Sequence, residues 1–586
     1  MQRSAFIAGL VLAISGIWTG TGAAAQGDVY FDAHNHFPGI LPYYAYANLP
    51  RFIENLSDPS RPVGFEDRRA LLAYLAGTWY PSKGAALDDK PFSAPDGQRF
   101  ALGSRAALVV YRDAAKDPKK VDGVLERVLT ATPWSEFDSA YAFRGGPAHA
   151  YLLARFYGGS YDRLEADLCK ATYLDLAATN IQISEQSLPF IGGWQFRHGR
   201  SDKLDTIECV LRLRGDATVL SALRSMHEPA PDIRFVLMTH TSQLATLPGG
   251  QSYSEFSKTG ACAPVGLPHV LVTTPETIYH ALMAQDDAGA LVVPAPAVPA
   301  FYSAVAGIDT AGPETTCFSD EGMKYFERLA EAVYRAAKDR RAGGWHGKLL
   351  VHTHVGENSS TYFSPSLPAQ PWTFADTFAT LPAVRSNAEQ AHENIAMLSK
   401  AVADLERSHP DLHDYVVFRF AHATWADDKQ AQTLHDLGIE TDINLESNVA
   451  TGAYPLARMP LGAALLKRFW IDPLIGNPQT NLRLNDLLEV LVANGANVRQ
   501  VGGILGNVSL RFMLQRHVRC ILGTDGDGVE HSDIVKEYAY ASSLIDYWNR
   551  TDPSFASLAS GISERTLFAN AQWHLHDMAT DTAQPY

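Results

Sequence analysis

The stretch "KLLVHTHVGE", Lys348 to Glu357, contains an apolar run that leads directly into histidine, glycine and glutamate. Its length and its branched residues are typical of a buried β-strand. Because residues two apart on a strand point to the same side, His352 and His354 share a face. We predict that Gly356 lets the chain turn closely at the end of this strand, so that Glu357 faces the same pocket as His354.

Seven other runs have the same strand-like character, and helix-length segments separate them. They are "VYFDAHNH", "NIQISEQSL", "IRFVLMTH", "SAVAGID", "YVVFRFAH", "GIETDINL" and "VRCILGTD". The periodic stretches "MKYFERLAEAVYRAAKDR" and "AEQAHENIAMLSKAVADLERS" fit two of the intervening helices. Eight strands that alternate with helices predict an α/β fold of the parallel (β/α)8 barrel type.

Long segments between these elements predict helical and loop insertions in the barrel. The largest lies around residues 40–170, and a Pro/Ser-rich one contains "SPSLPAQPW". No repeat and no interdomain linker is evident, so we expect residues 26–586 to form a single barrel domain.

The first residues have the pattern of a secretory signal peptide. Arg3 precedes an apolar stretch from Ala5 to Trp18, and Ala23-Ala24-Ala25 offers a small-residue cleavage site before Gln26. A retained membrane anchor is the alternative, but the stretch is short for a membrane span. We therefore expect residues 1–25 to be removed and the mature protein to be exported, periplasmic or secreted, without a membrane partner.

The formal net charge of −15 argues against a nucleic-acid partner. Binding to a phosphate backbone draws on a surplus of basic residues that displaces counterions, and this composition offers none. We expect the partner to be a small molecule.

Five cysteines occur without any CxxC pair, which disfavours a thiolate zinc site. In an oxidising compartment they can form disulfides, and the two sequence-local pairings are Cys169 with Cys209 and Cys262 with Cys317. Four cysteines allow three connectivities, and the sequence does not exclude the other two. Cys520 lies in a strand-like run, and we expect it to be a buried, reduced thiol.

Polar residues stand at the C-terminal ends of four predicted strands. They are His34 and His36, then His354 and Glu357, then His422, and finally Asp525. In a (β/α)8 barrel the C-terminal ends of the strands hold the active site. Three imidazoles and one carboxylate are a sound ligand set for Zn²⁺ and leave one position for water.

These residues resemble the motifs of the adenosine deaminase family of metal-dependent amidohydrolases. The resemblance includes His34-Asn35-His36, the quartet from His354 to Glu357, His422, "LESNVATGA", Thr524-Asp525, "VAGIDTAGPE" and "DIVKEYAYA". It runs in order from about Asp28 to the region of Ala541, which is nearly the whole predicted barrel.

The resemblance implies a role for each matching residue. His34, His36, His354 and Asp525 would hold one Zn²⁺ per chain. Glu357 would donate a proton to the substrate ring, His422 would orient or deprotonate the attacking water, and Asp525 with His422 would stabilise the intermediate. Gly312 would contact the base through its backbone, and Asp527 would take part in substrate binding.

Two departures from the family pattern affect substrate recognition. Pro38 stands where the family has an aspartate that holds a sugar hydroxyl, and proline offers no side-chain acceptor. Gly526 follows Asp525 where the family has a second acidic residue, so that Asp527 is the nearest replacement. Nucleoside recognition would then depend on the inserted segments.

The expected function is zinc-dependent deamination of adenosine or a related 6-aminopurine, with release of ammonia. The alternatives are a mononuclear hydrolase or deaminase of another amino-heterocycle, and a non-enzymatic extracellular nucleoside-binding protein. A cytidine-type deaminase would carry a PCxxC motif, which is absent from the sequence. A binuclear amidohydrolase would usually carry a lysine in "VAGIDTAGPE", which has none. A binding protein has no need of a proton donor such as Glu357.

Three further residues have expected structural roles: His352 as a hydrogen-bonded core histidine, Asp309 as an interior or loop-ordering residue, and His240 as a residue that lines the pocket.

Overall fold

The computed structural model describes residues 30–37, 39–79, 92–93, 99–100, 115–129, 143–196, 201–247, 251–253, 262, 264–266, 273–312, 316–357, 382–450, 509–530 and 532–578. The predicted signal peptide, Pro38 and the "SPSLPAQPW" segment lie outside these residues. Among the described residues, no helix combines the length and the apolar character that crossing a membrane requires.

Eight parallel strands form the central sheet, and each coincides with one of the eight runs predicted from the sequence. They are β1 (Phe31–His36), β2 (Ile183–Pro189), β3 (Asp232–His240), β4 (Val305–Ala311), β5 (Leu349–Val355), β6 (Val416–His422), β7 (Glu440–Ile443) and β8 (Cys520–Leu522). Neighbours in the sheet follow the order of the sequence. Every residue of β4, β5 and β6 is buried, as expected for strands that are covered on both faces.

Hydrogen bonds just beyond β8 close the sheet into a barrel. The N–H of Asp525 donates to the carbonyl oxygen of His34 at 2.7 Å, and the N–H of His36 donates to the carbonyl oxygen of Asp525 at 3.0 Å. The predicted (β/α)8 barrel is therefore confirmed. Its closure also places the ends of β1 and β8, with their polar residues, next to each other.

Helices surround the barrel and fill the insertion after β1. They are α1 (Leu49–Ser57), α2 (Phe65–Trp79), α3 (Pro118–Leu129), α4 (His149–Phe156), α5 (Tyr161–Ala178), α6 (Asp202–Leu213), α7 (Ala217–Met226), α8 (Pro275–Leu282), α9 (Val298–Ala304), α10 (Asp320–Ala342), α11 (Pro382–Ser408), α12 (Asp428–Asp436), α13 (Leu445–Ala450), α14 (Ser509–Gln515), α15 (Asp527–Glu530), α16 (Ile534–Thr551), α17 (Pro553–Leu558) and α18 (Glu564–Met578). Helices α10 and α11 contain the two stretches whose periodicity predicted helices.

Shorter elements complete the secondary structure of the described residues. Single helical turns span Tyr43–Ala47, Arg144–Ala148, Thr241–Ala245, Ala295–Ala297 and Leu412–Asp414. Two strands, Phe92–Ser93 and Arg99–Phe100, form a small antiparallel sheet. Three more, Thr246–Leu247, Gln251–Tyr253 and Pro264–Gly266, form another after β3.

The insertion between β1 and β2 has a hydrophobic cluster of its own, which extends from Leu41 to Ala171 and is distinct from the main core cluster of the barrel. Arg144 connects this insertion to the barrel. Its buried guanidinium donates to the carbonyl oxygens of Leu41 and Leu129, each at 2.6 Å, and to that of Gly528 in α15. The insertion therefore packs beside the segment that follows β8, at the C-terminal end of the barrel.

Charged side chains occupy the barrel interior nearer its N-terminal end. His574 of α18 is fully buried, with Nδ1 2.7 Å from Glu440 Oε2 and Nε2 3.0 Å from Glu185 Oε1. Arg419 of β6, also buried, pairs with Glu185. Each buried charge thus has a partner of the opposite sign, which is what burial of a charge requires.

The structure pairs Cys169 with Cys209 and Cys262 with Cys317, with Cα–Cα distances of 6.7 and 6.1 Å. Both distances lie within the range that a disulfide can bridge. These are the two sequence-local pairings. Cys520 is a buried free thiol, and burial raises its pKa to about 12.

We expect thiol counting on the unreduced protein to find no reactive group in the folded state and one group per chain after denaturation. The first result follows from the burial of Cys520, because a thiol withdrawn from solvent with a raised pKa is unreactive. The second follows from the two disulfides. Reduction before denaturation is the control and should release all five thiols. Five groups without reduction would contradict the pairing.

Candidate active site

A cluster of imidazoles lies at the C-terminal ends of the strands. Candidate ligand atoms of His34, His36 and His354 all lie within 4.8 Å of one another, and those of His34, His422 and Asp525 form a second such group. Asp525 Oδ1 is 3.1 Å from His36 Nε2 and 3.5 Å from His34 Nε2. The structure therefore brings together the four residues predicted as zinc ligands, and His422 with them.

The backbone turn after β8 directs Asp525 into this cluster. Asp525 has φ of 67°, in the left-handed region that aspartate tolerates better than most residues. Ser447 Oγ donates to Asp525 Oδ2 at 2.6 Å, which leaves Oδ1 toward the histidines. Ser447 belongs to the "LESNVATGA" stretch, for which the sequence suggested no individual role.

Two buried carboxylates lie against the candidate ligand histidines, and His352 contacts both carboxylates. Asp442 Oδ1 is 2.9 Å from His34 Nδ1, and Asp309 Oδ2 is 3.4 Å from His354 Nε2. His352 is 2.6 Å from Asp442 Oδ2 and 3.0 Å from Asp309 Oδ1. Burial lowers the pKa of His352, but Asp309 and Asp442 together raise it above its ordinary value. His352 and Asp309 are interior residues, as predicted, whereas sequence analysis missed Asp442.

Glu357 and His422 face each other at the edge of the cluster. Glu357 Oε2 is 3.6 Å from His422 Nε2, and Ser447 Oγ is 3.5 Å from Glu357 Oε1. Gly356 has φ of 91°, which confirms the close turn predicted between His354 and Glu357. Glu357 is 4% exposed, so its carboxyl has little contact with bulk water.

The turn after β6 gives His422 a fixed orientation. His422 has φ of 62°, and its Nδ1 is 3.0 Å from Asn448 Oδ1 on α13. Asn444 Nδ2 lies 3.2 Å from the same nitrogen, so two amides hold the ring, and Nε2 faces Glu357. The sequence carried no specific signal for Asn448.

Burial determines the charge state of two imidazoles in the cluster. It lowers the pKa of His34 to about 4, although Asp442 acts in the opposite direction. It also lowers the pKa of His422 well below its ordinary value. Both rings are therefore neutral at pH 7, and the neutral imidazole is the form that binds a metal ion or accepts a proton.

The two predicted substrate-binding residues lie on either side of the cluster. Gly312, after β4, has φ of 142°, and a Cβ there would lie 2.7 Å from Thr241 Oγ1 and 3.1 Å from His240 Nε2. Only glycine allows the backbone to lie this close to Thr241, and His240 lies beside the same glycine. Asp527 is the first residue of α15. Its pKa is raised well above the ordinary value, mainly by burial and further by the nearby carboxylates of Asp175 and Asp32.

The donor set suits a metal ion. Three imidazoles and a carboxylate converge in a buried place, and His34 is held by a carboxylate on its other ring nitrogen, as metal-binding histidines usually are. Imidazole nitrogen and carboxylate oxygen are ligands that Zn²⁺ accepts. The residues present therefore fit the predicted zinc ion.

Fold and site together define a (β/α)8 barrel whose C-terminal face carries a buried cluster of histidines and aspartate able to hold a metal ion. The chain is similar to the Arabidopsis N6-mAMP deaminase MAPDA, with 12% identity, coverage of 94% of this chain and 98% of that chain, and a TM-score of 0.35. It is also similar to Arabidopsis ADAL in complex with GMP, with 13% identity, coverage of 93% and 98%, and a TM-score of 0.33. A triazine hydrolase from Arthobacter aurescens matches with 12% identity, coverage of 78% and 66%, and a TM-score of 0.35.

No protein-family model and no curated protein matches the sequence.

Proposed function

We propose that the protein is a zinc-dependent hydrolase that deaminates adenosine or a related 6-aminopurine and releases ammonia. The observation that carries this proposal is the position of Glu357, a buried carboxyl 3.6 Å from His422 Nε2 and beside the cluster of candidate metal ligands. Attack of water on an aromatic amidine requires a metal site, a general acid and a separate general base.

The proposed zinc ligands are His34, His36, His354 and Asp525. A Zn²⁺ held by these residues would supply Lewis-acid chemistry that makes water nucleophilic at neutral pH. His34 is already neutral at pH 7, so it binds without first losing a proton.

Glu357 is the proposed acid for the substrate ring. Water attacks an aromatic carbon poorly, but protonation of the adjacent ring nitrogen breaks the aromaticity and makes that carbon electrophilic. The Glu357 carboxyl would deliver this proton, while Ser447 Oγ, 3.5 Å from Oε1, helps to hold the carboxyl in place.

His422 is the proposed base for the attacking water. Its Nδ1 faces Asn448, so Nε2 accepts the proton as the new C–O bond forms. Return of this proton to the exocyclic nitrogen lets the C–N bond break, and ammonia leaves with the bonding electron pair. The new hydroxyl gives its proton to the Glu357 carboxylate, which forms the product carbonyl and restores the acid. His422 and Asp525, both at the cluster, would stabilise the intermediate between these steps.

We also propose that the protein works outside the cytoplasm after removal of residues 1–25. The two disulfides support export, because such bonds persist in oxidising compartments and are rare in the cytosol. The proposed partner is therefore an extracellular or periplasmic purine nucleoside or aminopurine.

A panel of substrates tests the proposed activity. We expect purified mature protein to release ammonia from adenosine or another 6-aminopurine, and to release less from aminopyrimidines and pterins. Protein treated with a chelator is the control and should lose the activity until zinc is restored. Preference for an aminopyrimidine or a pterin would redirect the proposal to another amino-heterocycle, and no ammonia from any compound would favour the binding protein.

A further inference from the structure

A connected set of buried side chains lies directly beneath the candidate metal ligands, with His352 at its centre. His352 is 1% exposed and precedes His354 by two residues on the same face of β5. Its Nδ1 is 3.0 Å from Asp309 Oδ1 on β4, and its Nε2 is 2.6 Å from Asp442 Oδ2 on β7. One imidazole thus joins two carboxylates from strands on either side of it.

Each of these carboxylates presents its second oxygen to a candidate zinc ligand. Asp442 Oδ1 is 2.9 Å from His34 Nδ1, and Asp309 Oδ2 is 3.4 Å from His354 Nε2. His352 is therefore connected to His34 of β1 through Asp442, and to His354 of β5 through Asp309.

We propose that His352 is a positioning residue for the metal site, which holds Asp442 and Asp309 where they orient His34 and His354. This inference rests on the zinc site proposed above. The physical reason is that a carboxylate hydrogen-bonded to a proposed ligand histidine, as Asp442 is to His34, fixes the tautomer and the direction of the ring. It can do so only when it is itself held in place, and Asp309 restrains His354 through a longer contact. Both carboxylates are fully buried, so their positions depend on protein donors rather than on water.

Asp309 and Asp442 also have contacts with side chains other than His352. Ser187 Oγ donates to Asp309 Oδ2 at 2.6 Å, and Arg419 Nε is 3.3 Å from Asp442 Oδ2. The contact of His352 with Asp442 is shorter than that of Arg419 with the same oxygen. Asn444 Nδ2 also donates to Asp442 Oδ1, at 3.3 Å. Loss of His352 would therefore leave Asp442 with two more distant partners, Arg419 and Asn444, and change the hold on His34 most directly.

The chain offers a matched control in His574. It is also a fully buried histidine between two carboxylates, Glu440 at 2.7 Å and Glu185 at 3.0 Å. These carboxylates pair with Arg519 and Arg419 instead of with the proposed ligands. If His352 only satisfied buried carboxylates, its replacement would act like replacement of His574. It would lower stability and leave zinc binding unchanged.

The experiment compares His352→Asn, His352→Gln and His574→Gln with the wild type. The amide of asparagine mimics Nδ1 and keeps the contact with Asp309. The amide of glutamine mimics Nε2 and keeps the hydrogen bond to Asp442. For each folded protein we would measure the zinc dissociation constant by competition with a chelator, and the stability of the zinc-free form by denaturant unfolding.

We expect zinc binding to weaken by about 10- to 100-fold in the 352 variants, the range typical for outer contacts of metal sites. His352→Asn should weaken it more than His352→Gln, because it loses the bond to the carboxylate that contacts His34. His574→Gln should lower the stability of the zinc-free protein and leave the zinc dissociation constant unchanged.

Unchanged zinc affinity in both 352 variants would overturn the inference and leave the proposed function intact. A wild type that binds no zinc would overturn the proposed metal site and this inference with it. Ser187→Ala provides a second, milder variant, because it removes only one donor to Asp309 and should also weaken zinc binding. If the 352 variants do not fold, unchanged zinc affinity in Ser187→Ala overturns the inference.

Discussion

Replacement of Glu357 by glutamine is expected to slow ammonia release from an aminopurine by about 10²- to 10⁴-fold, the usual worth of a positioned general acid. Glutamine keeps the shape and the hydrogen-bonding capacity of the side chain but has no proton to transfer. Zinc content should not change, because Glu357 is not one of the four proposed ligands. Turnover under saturating substrate and zinc content by elemental analysis are the two measurements.

Glu446→Gln is a matched control for this variant. Glu446 is also buried, and its carboxylate accepts from the N–H of Asp533 at 3.0 Å. The same chemical change there should leave turnover close to the wild-type value. A Glu357→Gln protein with near-normal turnover on an aminopurine would remove the main mechanistic support for deamination.

Replacement of His354 by alanine is expected to lower zinc content and activity together. The wild type should carry about one tightly held zinc per chain through its four ligands. Loss of a contact outside the ligand shell typically weakens metal binding by about 10- to 100-fold. Loss of a ligand itself should weaken zinc binding by more than that. Zinc per chain and ammonia release, measured on the same preparation, give the result.

Added zinc distinguishes this variant from Glu357→Gln. Excess zinc should restore part of the activity of His354→Ala, because its acid and base remain, and should do nothing for Glu357→Gln. His392→Ala is the control, since His392 is 44% exposed at its side chain and pairs with Asp427 on the surface. A zinc-free His354→Ala protein with full activity would show that the reaction does not use this metal site.

Much of the fold could be predicted from the sequence, because the signals for strands and helices are local. The run from Leu349 to Val355 is apolar throughout apart from Thr353 and its two histidines, and every residue of it is buried in β5. The same reasoning placed His34, His422 and Asp525 at strand ends. Parallel strands bring their C-terminal ends to one face, so these residues had to meet once the barrel formed.

The pairing of the cysteines shows where local signals stop. The sequence favoured the two local pairings of four cysteines but allowed two other connectivities. Only the packing of α5 against α6, which brings Cys169 and Cys209 to a Cα–Cα distance of 6.7 Å, decides the first pair.

The sequence by itself determined the eight strands, the polar residues at their ends and the close turn at Gly356. The tertiary structure alone decided which side chains support them: Asp442 contacts His34 across 408 positions of the chain, and Asn448 reaches His422 from the helix after the next strand. The reason is physical. The period of a strand tells which face a residue shares with its near neighbours, whereas strand register and barrel closure determine which residues of different strands lie within hydrogen-bonding distance.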